Sequence, residues 1–196
     1  MKLRPAILAV AFLLASSVHA QSPGRYSSGP LEVTLAWSAD RTNGVVGGCG
    51  CFWMQGGKAE ANAAFAYRFS VVAELAGQHT SRIDSAQQSL SFVSYLFGPR
   101  YSYRNRTRSI PFAQFLAGGV HGFDALFPSV SPSAAVPDAL AFAAGGGFDF
   151  SLSRRFALRA IQADYLQTRL PNGATNRQDH LRLSAGLIFR FREASR

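Results

Sequence analysis

Ala139-Leu-Ala-Phe-Ala-Ala-Gly-Gly-Gly-Phe-Asp-Phe-Ser151 is the stretch on which the fold turns. It alternates with a period of two, the period of an extended strand. Leu140, Phe142, Ala144, Gly146, Phe148 and Phe150 fall on one face; Ala141, Ala143, Gly145, Gly147, Asp149 and Ser151 fall on the other. A soluble barrel built around a ligand turns its bulky apolar face inward. A strand in lipid turns that face outward and packs small and polar groups within. Two other segments keep the same phase. Val93, Tyr95, Phe97 and Tyr101 oppose Ser94, Gly98, Arg100 and Ser102, while Leu183, Ala185, Leu187, Phe189 and Phe191 oppose Arg182, Ser184, Gly186 and Arg190.

Eight such segments are expected: Leu31–Ser38, Ala59–Arg68, Val71–His79, Leu90–Tyr103, Ile110–His121, Ala139–Ser151, Phe156–Thr168 and Asp179–Phe191. Their connections alternate in length. Residues 39–58, 80–89, 122–138 and 169–178 form long links; 69–70, 104–109 and 152–155 form short ones. A soluble sandwich has no reason to alternate in this way. An eight-stranded antiparallel up-and-down transmembrane β-barrel does, with long outer loops and tight periplasmic turns. Two segments break the phase. Phe112, Gln114 and Leu116 oppose Ala113, Phe115 and Ala117, so neither face is polar; Arg159 shares the parity of Tyr165 and should snorkel toward the interface.

Composition agrees. The chain of 196 residues is 47% hydrophobic and 16% charged, which excludes a disordered polyelectrolyte, and its two cysteines exclude a disulfide framework. Residues 1–20 read as a signal peptide: Lys2 and Arg4 precede the apolar run Ala6–Ala15, and Val18-His19-Ala20 places small residues at −3 and −1. That run is shorter than the ~20 residues of a spanning helix. Cleavage before Gln21 would leave residues 21–196 as the barrel, carrying +7 of the formal +9.

Gly98-Pro-Arg-Tyr-Ser-Tyr-Arg104, Pro111-Phe-Ala-Gln-Phe-Leu-Ala-Gly118, Leu158-Arg-Ala-Ile-Gln-Ala-Asp-Tyr-Leu-Gln-Thr168 and Leu181-Arg-Leu-Ser-Ala-Gly-Leu-Ile-Phe-Arg-Phe191 resemble small Gram-negative outer-membrane β-barrel proteins. The OmpA-like transmembrane domain group is the most similar, and the likeness runs over the whole mature chain. It implies a place in the outer membrane among its lipids. It also implies insertion by the barrel-assembly machinery, which reads an aromatic C-terminal strand; Phe189 and Phe191 match that signal, with Arg192–Arg196 following. No peptidoglycan-binding domain is expected after the barrel.

The inward parity collects Glu32, Glu60, Glu74, Asp149 and Asp164 against Arg68, Arg100, Arg182 and Arg190. Strand counting pairs Glu74 with Arg100, Asp164 with Arg182 and Glu32 with Arg190. Ionised groups in a narrow interior must pair or stay hydrated. Eight strands leave room for little beyond side chains, so a salt-bridged plug is expected ahead of a narrow gated pore. Cys49-Gly-Cys51 lies in the first long loop, open to a tight local disulfide, a link between chains, or a soft metal such as Cu(I). His79-Thr-Ser81 is a candidate for lipid-ester chemistry, but a polar strand end is the plainer reading. No enzyme, cofactor or resident metal is expected, and an extracellular ligand would meet the long loops. Of the other cations, Arg104, Arg106, Arg108, Arg154, Arg155, Arg192 and Arg196 crowd the periplasmic rim, and Arg41, Lys58, Arg82, Arg169 and Arg177 fall in the outer loops. A one-sided rim of this kind suits anionic headgroups or anionic periplasmic partners, and is not a nucleic-acid surface.

Overall fold

The computed structural model describes residues 31–42, 52–83, 88–104, 107–123, 138–170 and 177–191. Eight strands follow in order: β1 (Leu31–Thr42), β2 (Phe52–Ala64), β3 (Phe69–Ile83), β4 (Gln88–Ser102), β5 (Ser109–Phe123), β6 (Asp138–Ser151), β7 (Phe156–Thr168) and β8 (Gln178–Phe191). Each pairs antiparallel with its sequence neighbours, and β8 returns to β1, closing an up-and-down barrel with no free edge. At the seam Glu32 faces Arg190, Asp40 faces Arg182 and Thr42 faces His180. The β2–β3, β4–β5 and β6–β7 connections gather with Leu31 and Phe191 at one end; the strand ends that lead into the long connections lie at the other.

The alternation read from the sequence becomes two physical surfaces. Leu35, Trp37, Leu75, Phe97, Phe115, Leu140 and Leu187 point outward, each about half exposed. A belt of that extent is far larger than the apolar patches soluble proteins carry, and lipid is the solvent that accounts for it. Near the short turns the belt ends in Phe65, Tyr67, Phe69, Tyr101, Tyr103 and Phe191, the amphipathic ring expected at a water interface. Phe65 stacks on Phe69, which meets Tyr101 edge to face at 5.2 Å.

Two departures from the expected strands matter. β1 runs on to Thr42 and β2 begins at Phe52, seven residues before Ala59, so Asp40 and Lys58 belong to the wall and point inward, fully buried. The β2–β3 link falls at 65–68 rather than 69–70. This places Arg68 in an exposed turn rather than inside. There it donates to the Tyr101 hydroxyl at 3.2 Å, and its guanidinium lies 5.0 Å from the Tyr103 ring centroid.

Candidate functional site

Among the described residues the interior gathers paired charges of both signs, and its two halves differ. At the short-turn end Glu32 of β1 accepts hydrogen bonds from Arg190 of β8 and Asn62 of β2, each at 3.0 Å. Arg190 also donates to Ser151 of β6 at 3.0 Å. Above this lies a denser set in which four cations (Lys58, Arg100, Arg159, Arg182) meet four carboxylates (Glu60, Glu74, Asp149, Asp164). Glu60 of β2 is the hub. Arg100 of β4 reaches it at 2.6 Å, Lys58 at 2.9 Å, and Arg159 of β7 donates to it from the far wall. Arg182 of β8 spans to Glu74 of β3 at 2.5 Å and touches Asp164 at 3.4 Å; Lys58 also contacts both acids, at 3.4 and 3.5 Å. Gln114 and Gln162 stitch the set together, donating to Asp164 at 3.2 and 2.7 Å.

Arg159 enters this set through a bulge. Along β6 and β7, Phe148 faces Ile161 and Asp149 faces Arg159, which leaves Ala160 as the extra residue. Ala160 and Ile161 both point outward, so every residue before them changes face relative to strict alternation. The guanidinium is therefore inside, 1% exposed, and donates to Asp149 at 2.8 and 3.1 Å instead of snorkelling. Phe112 of β5 explains the other ambiguous strand. Its ring faces inward, with the guanidinium carbons of Arg100 and Arg159 at 4.4 and 4.6 Å from its centroid. Gly145 of β6 gives Asp164 room: a Cβ there would stand 2.4 Å from Asp164 Oδ1 and 2.2 Å from the Ala163 carbonyl oxygen.

Toward the long connections an apolar cluster joins the buried polar residues Ser38, Asp40, Gln78 and His180 in the lumen. Met54, Leu90, Phe92, Leu116, Val120 and Leu166 pack there, all buried. His180, at the edge of this cluster, meets Phe92 edge to face at 5.5 Å. Leu116 and Val120 supply the second reason that β5 has no polar face.

The structure thus places Glu32, Glu60, Glu74, Asp149, Asp164, Arg100, Arg182 and Arg190 inside. Glu32 meets Arg190 and Asp164 meets Arg182, but Glu74 does not meet Arg100. Glu74 faces Leu96, with Arg100 four residues further along β4, so Glu74 takes Lys58 and Arg182 instead. Lys58 was recoverable: it stands two residues before Glu60 and so shares its face, but Gly56-Gly57 before it reads as loop. Asp40 lies inward beside Arg182 in register, and neither of its carboxylate oxygens has a hydrogen-bond partner. His79 pairs through Nδ1 with Ser91 Oγ of β4 at 2.9 Å, not with Ser81, on the lipid-facing side. Cys49, Cys51, the signal segment and Arg192–Arg196 lie outside the described residues.

A closed eight-stranded wall, apolar outside and ionic within, defines a small outer-membrane β-barrel. Solved structures of that class are similar over most of this chain. Neisserial surface protein A (NspA) has a TM-score of 0.62 at 13% identity, covering 82% of this chain and 97% of its own. The attachment invasion locus protein Ail of Yersinia pestis gives 0.55 at 18% identity, with 83% and 99% covered. OprG of Pseudomonas aeruginosa gives 0.57 at 10% identity, with 86% and 98% covered. At such identities the likeness shows the fold. No protein-family model matches the chain, and neither does any curated protein sequence.

Proposed function

We propose that this chain is a non-enzymatic protein of the outer membrane, exported on residues 1–20, whose closed barrel holds its outer connections at the cell surface in a structural or ligand-contacting role. The observation that carries this reading is the reach of the ion pairs across the lumen. Glu60 of β2 is held from β4 and β7, and Arg182 of β8 holds Glu74 of β3. Side chains that meet from opposite walls occupy the cross-section that an aqueous path would need, and the apolar cluster above them narrows it further. Opening such a path would separate several buried pairs at once, at a cost of several kcal/mol each.

With the lumen filled, an extracellular partner would meet the connections between β1 and β2, β3 and β4, β5 and β6, and β7 and β8. Phe189 and Phe191, at the end of the closing strand, are the residues the assembly machinery would read. Planar-bilayer recording of the purified full chain tests the closed state. No stepwise conductance is expected. Reproducible open steps whose amplitude changes in Arg100→Ala would overturn the reading in favour of a narrow gated pore.

A further inference from the structure

We infer that the pocket between the β6–β7 turn and the end of β8 binds the headgroup of an anionic phospholipid from the periplasmic leaflet. This rests on the outer-membrane reading above and adds a ligand to it. The pocket is a half-open groove of about 500 Å³ lined by Arg154, Arg155, Phe156, Phe189, Arg190 and Phe191, a size in the ordinary range for small-ligand sites.

The turn that carries the two exposed arginines is fixed from both sides. Ser153 Oγ accepts the backbone N–H groups of Arg155 and Phe156 at 3.3 and 3.0 Å, and Ser153 N donates to the Phe156 carbonyl at 2.9 Å. Arg190 N donates to the Arg155 carbonyl at 2.8 Å, tying the turn to β8. Two guanidinium groups are thus presented from ordered backbone. Arg190, the third cation of the pocket, is already engaged by Glu32. Among the described residues no carboxylate forms an ion pair with Arg154 or Arg155. Two guanidinium groups that meet no carboxylate among the described residues can each offer a phosphate a two-pronged donor.

The remainder of the pocket selects a lipid over a soluble anion. Phe156 and Phe189 meet edge to face at 5.5 Å and form its wall. One step toward the membrane centre, Leu158 faces Leu187, both outward. The charged mouth therefore runs without a break into the lipid-facing belt. An occupant that satisfies both parts has an anionic head joined to an apolar tail. The short-turn end is the periplasmic one in barrels of this class, so that occupant belongs to the inner leaflet. A zwitterionic headgroup would bring its ammonium beside the same arginines and is disfavoured.

Native mass spectrometry of the detergent-solubilised full chain, titrated with phosphatidylglycerol, phosphatidylethanolamine or water-soluble glycerol phosphate, tests this. The expected result is one tightly held phosphatidylglycerol, with the other two bound far more weakly. Each arginine at an anionic surface is worth about fivefold. Arg154→Ala/Arg155→Ala should therefore weaken phosphatidylglycerol by roughly twenty- to thirtyfold, while Arg68→Ala/Arg108→Ala, on the same rim outside the pocket, leaves it unchanged. Equal losses in both double variants would reduce the effect to general rim charge and overturn the site. So would undiminished binding in Arg154→Ala/Arg155→Ala, or glycerol phosphate binding as well as the lipid. Heat-modifiable gel mobility of the same samples separates the two levels. A shifted band with no lipid preference overturns this inference alone, whereas a wild-type chain without the shift overturns the membrane-barrel reading beneath it.

Discussion

Replacing Arg159 by Met changes stability in opposite directions for the two faces this residue could occupy. Were it on the lipid face, removing a guanidinium from the bilayer would stabilise the barrel, by about 2–4 kcal/mol near the midplane and less toward the interface. In the bulged strand it points inward. Arg159→Met then strips Asp149 of bonds at 2.8 and 3.1 Å, removes one of three cations from Glu60 and leaves Phe112 with the Arg100 guanidinium alone. Breaking a buried pair from one side costs about 3–5 kcal/mol. Glu60 keeps Arg100 and Lys58, so the lower end, about 3 kcal/mol, is expected. With a urea dependence of about 2–3 kcal/mol per molar, the unfolding midpoint should fall by on the order of 1 M. Trp37 and Trp53, both outward and exposed, report the transition by fluorescence in lipid vesicles. Because much of the loss is Asp149 left as an unpaired carboxylate, Arg159→Met/Asp149→Asn should recover more than about 1 kcal/mol of it. A raised midpoint in the single variant, or no recovery in the double, would refute the inward guanidinium and the bulge that turns it.

Two further contrasts probe the interior. Asp164 accepts from Gln114 and Gln162 and contacts Lys58 and Arg182, whereas Asp40 has no hydrogen-bond partner. Asp164→Asn should therefore lower stability by about 2 kcal/mol, and Asp40→Asn should leave it unchanged or raise it, both read as urea midpoints in vesicles. Gly145→Ala drives a Cβ against the Ala163 carbonyl and the Asp164 side chain and should cost about 1–3 kcal/mol. Gly57→Ala, where the nearest atom to a Cβ is the Ala36 carbonyl at 3.7 Å, is the control and should be silent in the same assay.

How far the sequence reaches can be followed strand by strand. β7 has the bounds that alternation alone assigns, Phe156–Thr168, and yet its N-terminal half has the opposite facing. Periodicity locates a strand but assumes that every residue flips the face. A bulge violates that rule without changing the composition, and it is visible only once Asp149 is seen opposite Arg159. β5 hid its inward face for a different reason. Three of its inner residues, Phe112, Leu116 and Val120, serve a cation sandwich and an apolar cluster, which leaves Gln114 too isolated for alternation to reveal a polar face. In β2 the expected start was set by Gly56-Gly57, and glycine in a strand reads as a loop until its neighbours show how closely the strands approach. Arg68 is the converse case. Its parity is inward, but the turn arrives before it, and parity has no meaning outside the ladder. Glu32 with Arg190 and Asp164 with Arg182 were legible because each pair lies in register on neighbouring strands. The cross-lumen partners of Glu60 and Glu74 belong to no common ladder, so strand counting could not name them.

The seam between β1 and β8 has a consequence for how the chain could be cut. Leu31 and Phe191 stand opposite each other across a ladder that runs on to Thr42 and His180 without a register shift. In hydrogen bonding this junction is a wall position like the rest, though its partners are farthest apart in sequence. The closed ring has no first strand. Residues 31 and 191 are neighbours on the periplasmic side, near enough for a hairpin-length linker to join them. New ends placed in any other periplasmic turn would give a circular permutant with the same lumen, ion pairs and belt. Strand order is thus a property of delivery rather than of the folded ring, and a permutant that moves Phe191 away from the end separates the two.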